Sequence, residues 1–189
     1  MTVQPILADS SALIGLAACN EEYADMVFSE IAVSTTWTCF REIRNKARNG
    51  GSHWLQKSAE RILDYVEDGE IAYPTRVNIP GAPNSGVPDA GEKSVRIALG
   101  QYEEISSILL FDRGAAVLLE RTQQKLAGTP NEFTIEPPNF PLYLLTRRDS
   151  DEQNMSKDTF CDQSEKILQR MDWKGSRQEN LFWEFPINC

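Results

Sequence analysis

The chain has 189 residues, with 19 Lys and Arg against 28 Asp and Glu, a formal net charge of −9 and 41% hydrophobic residues. That suffices for one domain with a substantial core, and the acidic balance argues against a general nucleic-acid coat while leaving room for an enzyme that meets RNA through a local basic patch. No apolar run approaches the roughly 20 residues that span a bilayer.

The N-terminal MTVQPILADS lacks the basic and apolar regions of a signal peptide, so a cytoplasmic protein without membrane contact is expected. Cys19, Cys39, Cys161 and Cys189 are scattered, and His53 is the sole histidine. A Cys/His zinc site and a disulfide framework are both disfavoured, and four reduced thiols are expected.

In chain order, Ile6 and Leu7 form a short apolar run that ends in Ala8-Asp9-Ser10-Ser11. Ala12, Leu13, Leu16 and Ala17 then recur at helical spacing. This is strand, acidic turn, helix. Asp9 there is either a plain helix N-cap or a carboxylate at a ligand edge, and its neighbours leave both open. Residues 20–30 suit a helix and 31–34 a second strand. Residues 35–48 predict a helix with Trp37, Phe40, Ile43 and Ala47 on one side. Glu42 lies in it among Arg41, Arg44, Lys46 and Arg48, and on its own reads as a solvated ion-pair partner. Asn49 to Ser52 ends that helix, 54–67 forms another, Gly69 stops it, and 70–73 is a short strand. The Gly- and Pro-rich 78–87 is a loop.

The segment from Asp89 to Arg113 organises the rest. Asp89 follows Pro88, and Glu92 comes three positions later, a capping-box helix start. Val95, Ala98, Leu99 and Tyr102 continue the helix as an apolar stripe. Ile108 to Phe111 is a continuous apolar run, as in a parallel strand buried on both faces, and it stops at Asp112. Residues 114–127 predict a helix ended by Gly128, and 133–135 a last strand. Pro141 opens a brief helix that runs to Arg148, and Ser156 caps a final helix buried through Phe160, Ile167, Leu168 and Met171. The tail aromatics Phe182, Trp183 and Phe185 should pack back on the domain. The division expected is an α/β domain over 1–150 and a helical extension over 151–189 packed on it.

Alternating strands and helices predict a three-layer α/β/α domain with a mainly parallel central sheet. Asp9 and Asp112 then end two strands, and Glu42 and Glu92 can reach the same edge from helices. Four carboxylates close together raise one another's pKa unless a cation compensates. An all-oxygen donor set suits Mg²⁺ or Mn²⁺, and with it phosphodiester chemistry.

These segments resemble the motifs of PIN-domain ribonucleases. LADSSALIGLA is similar to the first, with Asp9 as its acid and Ser11 as its small hydroxyl. VSTTWTCFREI is similar to the second through Glu42. DAGEKSVRIAL is similar to the Asp-x-Gly-Glu third motif of one subgroup through Asp89 and Glu92, and ILLFDRGAA to the fourth through Asp112. The match in order and spacing covers residues 5 to 135.

The resemblance implies a metal-dependent endoribonuclease in which Asp9, Glu92 and Asp112 hold the cation and Glu42 completes the acidic site. It implies RNA as substrate, with Arg41, Arg44, Arg113, Arg147 and Arg148 on its phosphates. It also implies a toxin of a toxin–antitoxin pair, which forms a homodimer and is silenced by a small antitoxin protein. One departure stands out: Leu110 and Phe111 occupy positions where the fourth motif often carries Thr and an acid. That leaves open a catalytically degenerate PIN-like binding module in a protein or RNA assembly.

Overall fold

In the computed structural model, which describes residues 6–72, 90–110, 113–130, 132–147, 154–171, 183–187 and 189, the apolar run near the head of the chain is the central strand. Strand β1 (Ile6–Ala8) lies between β2 (Val33–Thr35) and β4 (Ser107–Leu109), parallel to both. Strand β3 (Ile71–Ala72) extends the sheet beyond β2, and β5 (Thr134–Glu136) beyond β4. The sheet is five-stranded, all parallel, in the order β3-β2-β1-β4-β5. Around it run α1 (Ser10–Ala17), α2 (Glu21–Glu30), α3 (Trp37–Asn49), α4 (His53–Glu67), α5 (Ala90–Gln101), α6 (Arg113–Leu126), α7 (Phe140–Thr146) and α8 (Lys157–Arg170).

The layering follows from side-chain alternation and crossover handedness. Ile6 and Ala8 face one way, with Val33, Ile71 and Leu109, beneath α1, α2, α4, α7 and α8. Leu7, Ile108 and Leu110 face the other way, packing on Val95, Ala98 and Leu99 of α5 and Leu119 of α6. From β1 to β3 the chain winds outward in one direction, then returns past β1 to build β4 and β5. Right-handed connections place the helices of the two halves on opposite faces. Helix α3 serves both cores, with Ile43 in one and Cys39 in the other. The three-layer α/β/α architecture expected from the sequence is the one observed.

Local chemistry sets the boundaries. Asp9, Thr36 and Ser156 cap α1, α3 and α8, each accepting from a backbone N–H of the first turn. Gly69 and Gly128 end α4 and α6 at positive φ, 83° and 74°, where an L side chain is strained. Arg61 of α4 donates to the carbonyls of Ala17 and Cys19, satisfying the C-terminal end of α1, and pairs with Glu21 at 3.6 Å. Tyr65 donates to Asp25 and packs its ring at a tilt against Phe28, with centroids 4.5 Å apart, joining α4 to α2. Burial, then the Asp25 carboxylate, hold the Tyr65 phenol well above its usual pKa.

Helix α8 is joined to the domain by polar as well as apolar contacts. Gln163 accepts from the Asn20 backbone N–H at 2.9 Å, and Asn139 donates to Ser164 at 3.0 Å; Gln163, Asn139 and Ser164 are buried. Phe185 returns from the tail to stack on Tyr143 at 4.6 Å and on Phe140 at 6.1 Å.

Three expectations are corrected. Cys161 and Cys189 are not reduced thiols but a disulfide, with Cα atoms 5.6 Å apart, while Cys19 and Cys39 remain free and buried. The tail folds back on α8 and brings them together, an adjacency invisible across 28 residues of sequence. Thiol content therefore no longer argues for a reducing compartment. Strand β4 starts one residue earlier than the apolar run, at Ser107, because it registers with the three residues of β1 and its hydroxyl meets Thr134 of β5 at 3.1 Å. Helix α7 begins at Phe140 with Pro141 second, still in the first turn where a missing N–H is harmless, and it ends at Thr146. The loop over 78–87 and residues Asp89, Phe111, Asp112, Arg148 and Phe182 lie outside the described residues. Among the described residues no helix is long and apolar enough to cross a membrane.

A disulfide spanning 28 residues removes chain entropy worth about 3–4 kcal/mol from the unfolded state. Cys161→Ser should therefore lower the unfolding free energy in denaturant by about 3 kcal/mol. Reductant should cause the same loss in the wild-type chain and none in the variant. A wild-type midpoint indifferent to reductant would show that the bond does not staple the fold.

Candidate functional site

At the C-terminal edge of the sheet the strand order reverses between β1 and β4, the switch point where open α/β sheets place ligands. Asp9 is the first residue beyond β1. Its backbone N–H donates to Leu109 of β4 at 3.3 Å, and its Oδ1 accepts from Ala12 N–H at 2.6 Å. The capping and ligand-edge readings of Asp9 thus coincide in one carboxylate. It is 5% exposed, and burial pushes its pKa up to about 7. The Ala12 hydrogen bond opposes the rise, Glu42 adds to it, Lys46 opposes it and Glu92 adds to it.

Glu42 projects from the second turn of α3 and is half-buried. Both its oxygens are engaged: Ser10 Oγ donates to Oε2 at 2.7 Å, and the Gly91 backbone N–H donates to Oε1 at 3.1 Å. This solvated-looking glutamate therefore joins the first turns of α1 and α5. Glu92 follows Gly91 in that turn, half-buried and within electrostatic range of Asp9.

Beneath these acids lies a buried polar layer. Thr35 donates to the Ala8 carbonyl at 2.9 Å, tying the ends of β2 and β1. Thr36 and Ser94 hydroxyls lie 2.6 Å apart, Ser94 donates to the Gly91 carbonyl at 2.6 Å, and Cys39 Sγ lies 3.8 Å from that carbonyl. Burial, then the Glu42 charge, raise the Cys39 thiol to about 12, so it stays protonated and serves as a small packed donor.

The residues expected from sequence thus divide. Asp9, Glu42 and Glu92 stand at one edge. Asp89 and Asp112 lie outside the described residues. Ser11 is half-buried in α1, and the hydroxyl that meets Glu42 is that of its neighbour Ser10. Arg41 and Arg44 are exposed on α3 and share a stripe with Arg48 by helical period. Arg147 is exposed just after α7, where it donates to the Tyr143 hydroxyl at 3.3 Å and lies 5.9 Å from that ring. The side chain of Arg113 and the whole of Arg148 are not among the described ones.

Sequence reasoning missed four residues here: Ser10, Gly91, Thr36 and Ser94. The glycine of DAGE was the available signal, since glycine inside a first helical turn asks for a steric reason. It also missed Glu136, which ends β5 level with Leu109 and whose pKa is raised by burial first, against a Thr134 hydrogen bond, with Glu184 adding to the rise.

The donor chemistry at Asp9 fits a hard divalent cation: it is all oxygen, buried, and short of positive charge. Among the described residues no three His, Cys, Asp or Glu side chains converge closely enough to hold a metal by themselves. A cation held here would need a further oxygen donor, and Asp112, the acid of the fourth motif, lies outside the described residues.

A family model described as the halobacterial PIN domain matches residues 1–189 of this sequence. No curated protein and no solved structure matches it.

The raised pKa of Asp9 has a definite sign. The folded chain keeps this proton to about pH 7, whereas the unfolded chain releases it near 3.8. Metal-free stability from this group is full below the lower value and is lost as pH rises towards the upper. Asn caps a helix as well as Asp, so Asp9→Asn should keep the cap while removing the charge. The variant should melt higher than wild type in chelator at pH 8, and the gap should narrow steadily as pH falls towards 4. Parallel melting curves at all pH values would contradict this.

Proposed function

Because this chain belongs to the PIN-domain family, we propose that it is a divalent-metal-dependent endoribonuclease acting at the Asp9 edge of the sheet. The observation that carries the reading is the buried Asp9 carboxylate, held at the end of the central strand with Glu42 and Glu92 in electrostatic range. Such an arrangement is costly for a fold without a ligand to use it, because clustered carboxylates in a dry site resist ionisation. A buried acid with a raised pKa at a switch point is a functional-site candidate.

Asp9, Glu92 and Asp112 are the residues that would hold Mg²⁺ or Mn²⁺. Bound there, the cation supplies Lewis acidity that activates water and offsets charge on a phosphodiester. The chain's own part is positional. Ala12 N–H fixes the orientation of Asp9, and the layer of Thr35, Thr36 and Ser94 holds the ends of β1, β2 and α5 in place. Arg41 and Arg44, with Arg113, Arg147 and Arg148, are the candidates for phosphate contacts, which position RNA without reading sequence. Acidic elsewhere, the protein would concentrate its attraction for RNA on these few guanidinium groups.

The reading extends, on family resemblance, to a cytoplasmic toxin that forms a homodimer and is neutralised by a small antitoxin. Expression of the wild-type chain alone should then slow a bacterial host, and Asp9→Asn at equal levels should not. A second reading, a degenerate PIN-like binding module, is favoured by Leu110. It is 5% exposed and belongs to the apolar core, where the fourth motif often has Thr.

The deciding measurement is cleavage of single-stranded RNA by purified protein with Mn²⁺ and with chelator. Asp9→Asn should fold and lose more than about 100-fold in rate, beyond what changes outside the ligand shell cost. Equal cleavage by both proteins would sink the nuclease assignment, and no cleavage by the wild type would favour the binding module.

A further inference from the structure

Helix α5 carries Glu92 into the site, yet the first turn of any helix leaves backbone N–H groups without intrahelical partners. Sequence assigns the capping of this turn to Asp89. The N–H of Gly91 goes elsewhere: it donates to Glu42 Oε1 at 3.1 Å, from a side chain 49 residues earlier. The other oxygen of Glu42 accepts from Ser10 at the start of α1 at 2.7 Å. One carboxylate therefore ties the first turns of two helices, with its charge near the positive end of the α5 dipole.

Gly91 is the condition for this tie. A Cβ built on it would stand 2.8 Å from Glu42 Oε2, 3.0 Å from Oε1 and 3.2 Å from Cδ. Contacts that short require something to move. Gly91 is helical with no positive φ, so backbone freedom does not explain the glycine, whereas close approach does. The carbonyl of Gly91 is held as well, by Ser94 at 2.6 Å. Both polar groups of this one peptide position are thus anchored, immediately before Glu92.

We propose that Glu42 is a positioning residue, a cap supplied from α3 that seats α5 through the Cβ-less Gly91 and so sets where Glu92 stands relative to Asp9. The proposal rests on reading Asp9 and Glu92 as members of one site. It separates Glu42 from the cation-holding acids, since its two oxygens are directed at protein donors.

Substitution by Gln separates the roles. A Gln at 42 can accept from Gly91 N–H through Oε1 and donate through Nε2 to Ser10, because a hydroxyl accepts as readily as it donates. A cap survives that change; a carboxylate ligand or base does not.

The experiment compares wild type with Glu42→Gln, Glu42→Ala and Gly91→Ala by amide hydrogen exchange without metal, and by melting temperature with and without Mn²⁺. The Gly91 amide should be protected in wild type and Glu42→Gln. It should exchange roughly tenfold faster or more in Glu42→Ala, as a charge-assisted hydrogen bond is lost. Glu42→Gln should retain the Mn²⁺-induced rise in melting temperature. Gly91→Ala, which removes no acid from the chain, should lose most of that rise, while its metal-free melting temperature stays near wild type, because Ala favours the helix. That split between metal response and intrinsic stability would not arise from a merely structural glycine.

An unprotected Gly91 amide in wild type would overturn the proposal. So would loss of the Mn²⁺ response in Glu42→Gln, or its full retention in Gly91→Ala. If Glu42→Ala fails to fold, Glu42→Gln and Gly91→Ala still decide. If the wild type cleaves no RNA, the nuclease reading falls while the exchange and melting results still judge the cap.

Discussion

Placing a carboxylate at the end of the innermost strand is the constraint from which the rest of the site follows. Strand β1 has sheet neighbours on both sides and helices on both faces, so the chain leaves it inside the protein. Asp9 is the first residue to leave. An ionised group there loses its water, and the hydrogen bond from Ala12 recovers only part of that loss. A pKa near 7 expresses the remaining deficit. Lys46, one turn beyond Glu42 on α3, offsets some of it, but Glu42 and Glu92 act in the opposite sense.

The surroundings tolerate this because the neighbouring elements are fixed by hydrogen bonds that do not involve Asp9. Thr35 links β2 to β1, Thr36 meets Ser94, and Ser94 holds the Gly91 carbonyl. Each of these hydroxyls is buried and hydrogen-bonded, the arrangement that makes a polar core rigid rather than costly. Asp9 therefore stands beside a frame of hydrogen bonds in which its own carboxylate takes no part. Cys39 belongs to the frame, and its raised pKa keeps it an inert neutral donor.

Charge is distributed to match. With a formal net charge of −9, the surface as a whole repels polyanions. The exposed face of α3 runs against that balance, with Arg41, Arg44 and Arg48 along one stripe of the helix that carries Glu42. The opposite end of the chain is organised differently, through Phe140, Tyr143, Phe160 and Phe185 and a covalent bond from α8 to the last residue. Aromatic packing through Phe185 and the disulfide at Cys189 hold the described part of the tail against α7 and α8.

Much of this was legible in sequence, because the signals involved are local. Short apolar runs located the strands and a period of 3.6 the helices, Asp9 and Ser156 announced their caps, and Gly69 and Gly128 marked two helix ends. The alternation of elements implied a parallel sheet with Asp9 at its edge. What only the tertiary structure decided depends on contacts between distant segments. Glu42 has the sequence surroundings of a surface ion-pair partner, and its role appears only once α1 and α5 converge on it. The hydroxyl beside it is that of Ser10, which the helical phase of α1 aims at Glu42. Cys161 and Cys189 looked like separate thiols until the tail returned to α8. The start of β4 shifted to Ser107 because its register is set by β1, a strand 100 residues away. Local free energies choose elements residue by residue, whereas register, pairing and the partners of buried polar groups exist only between elements.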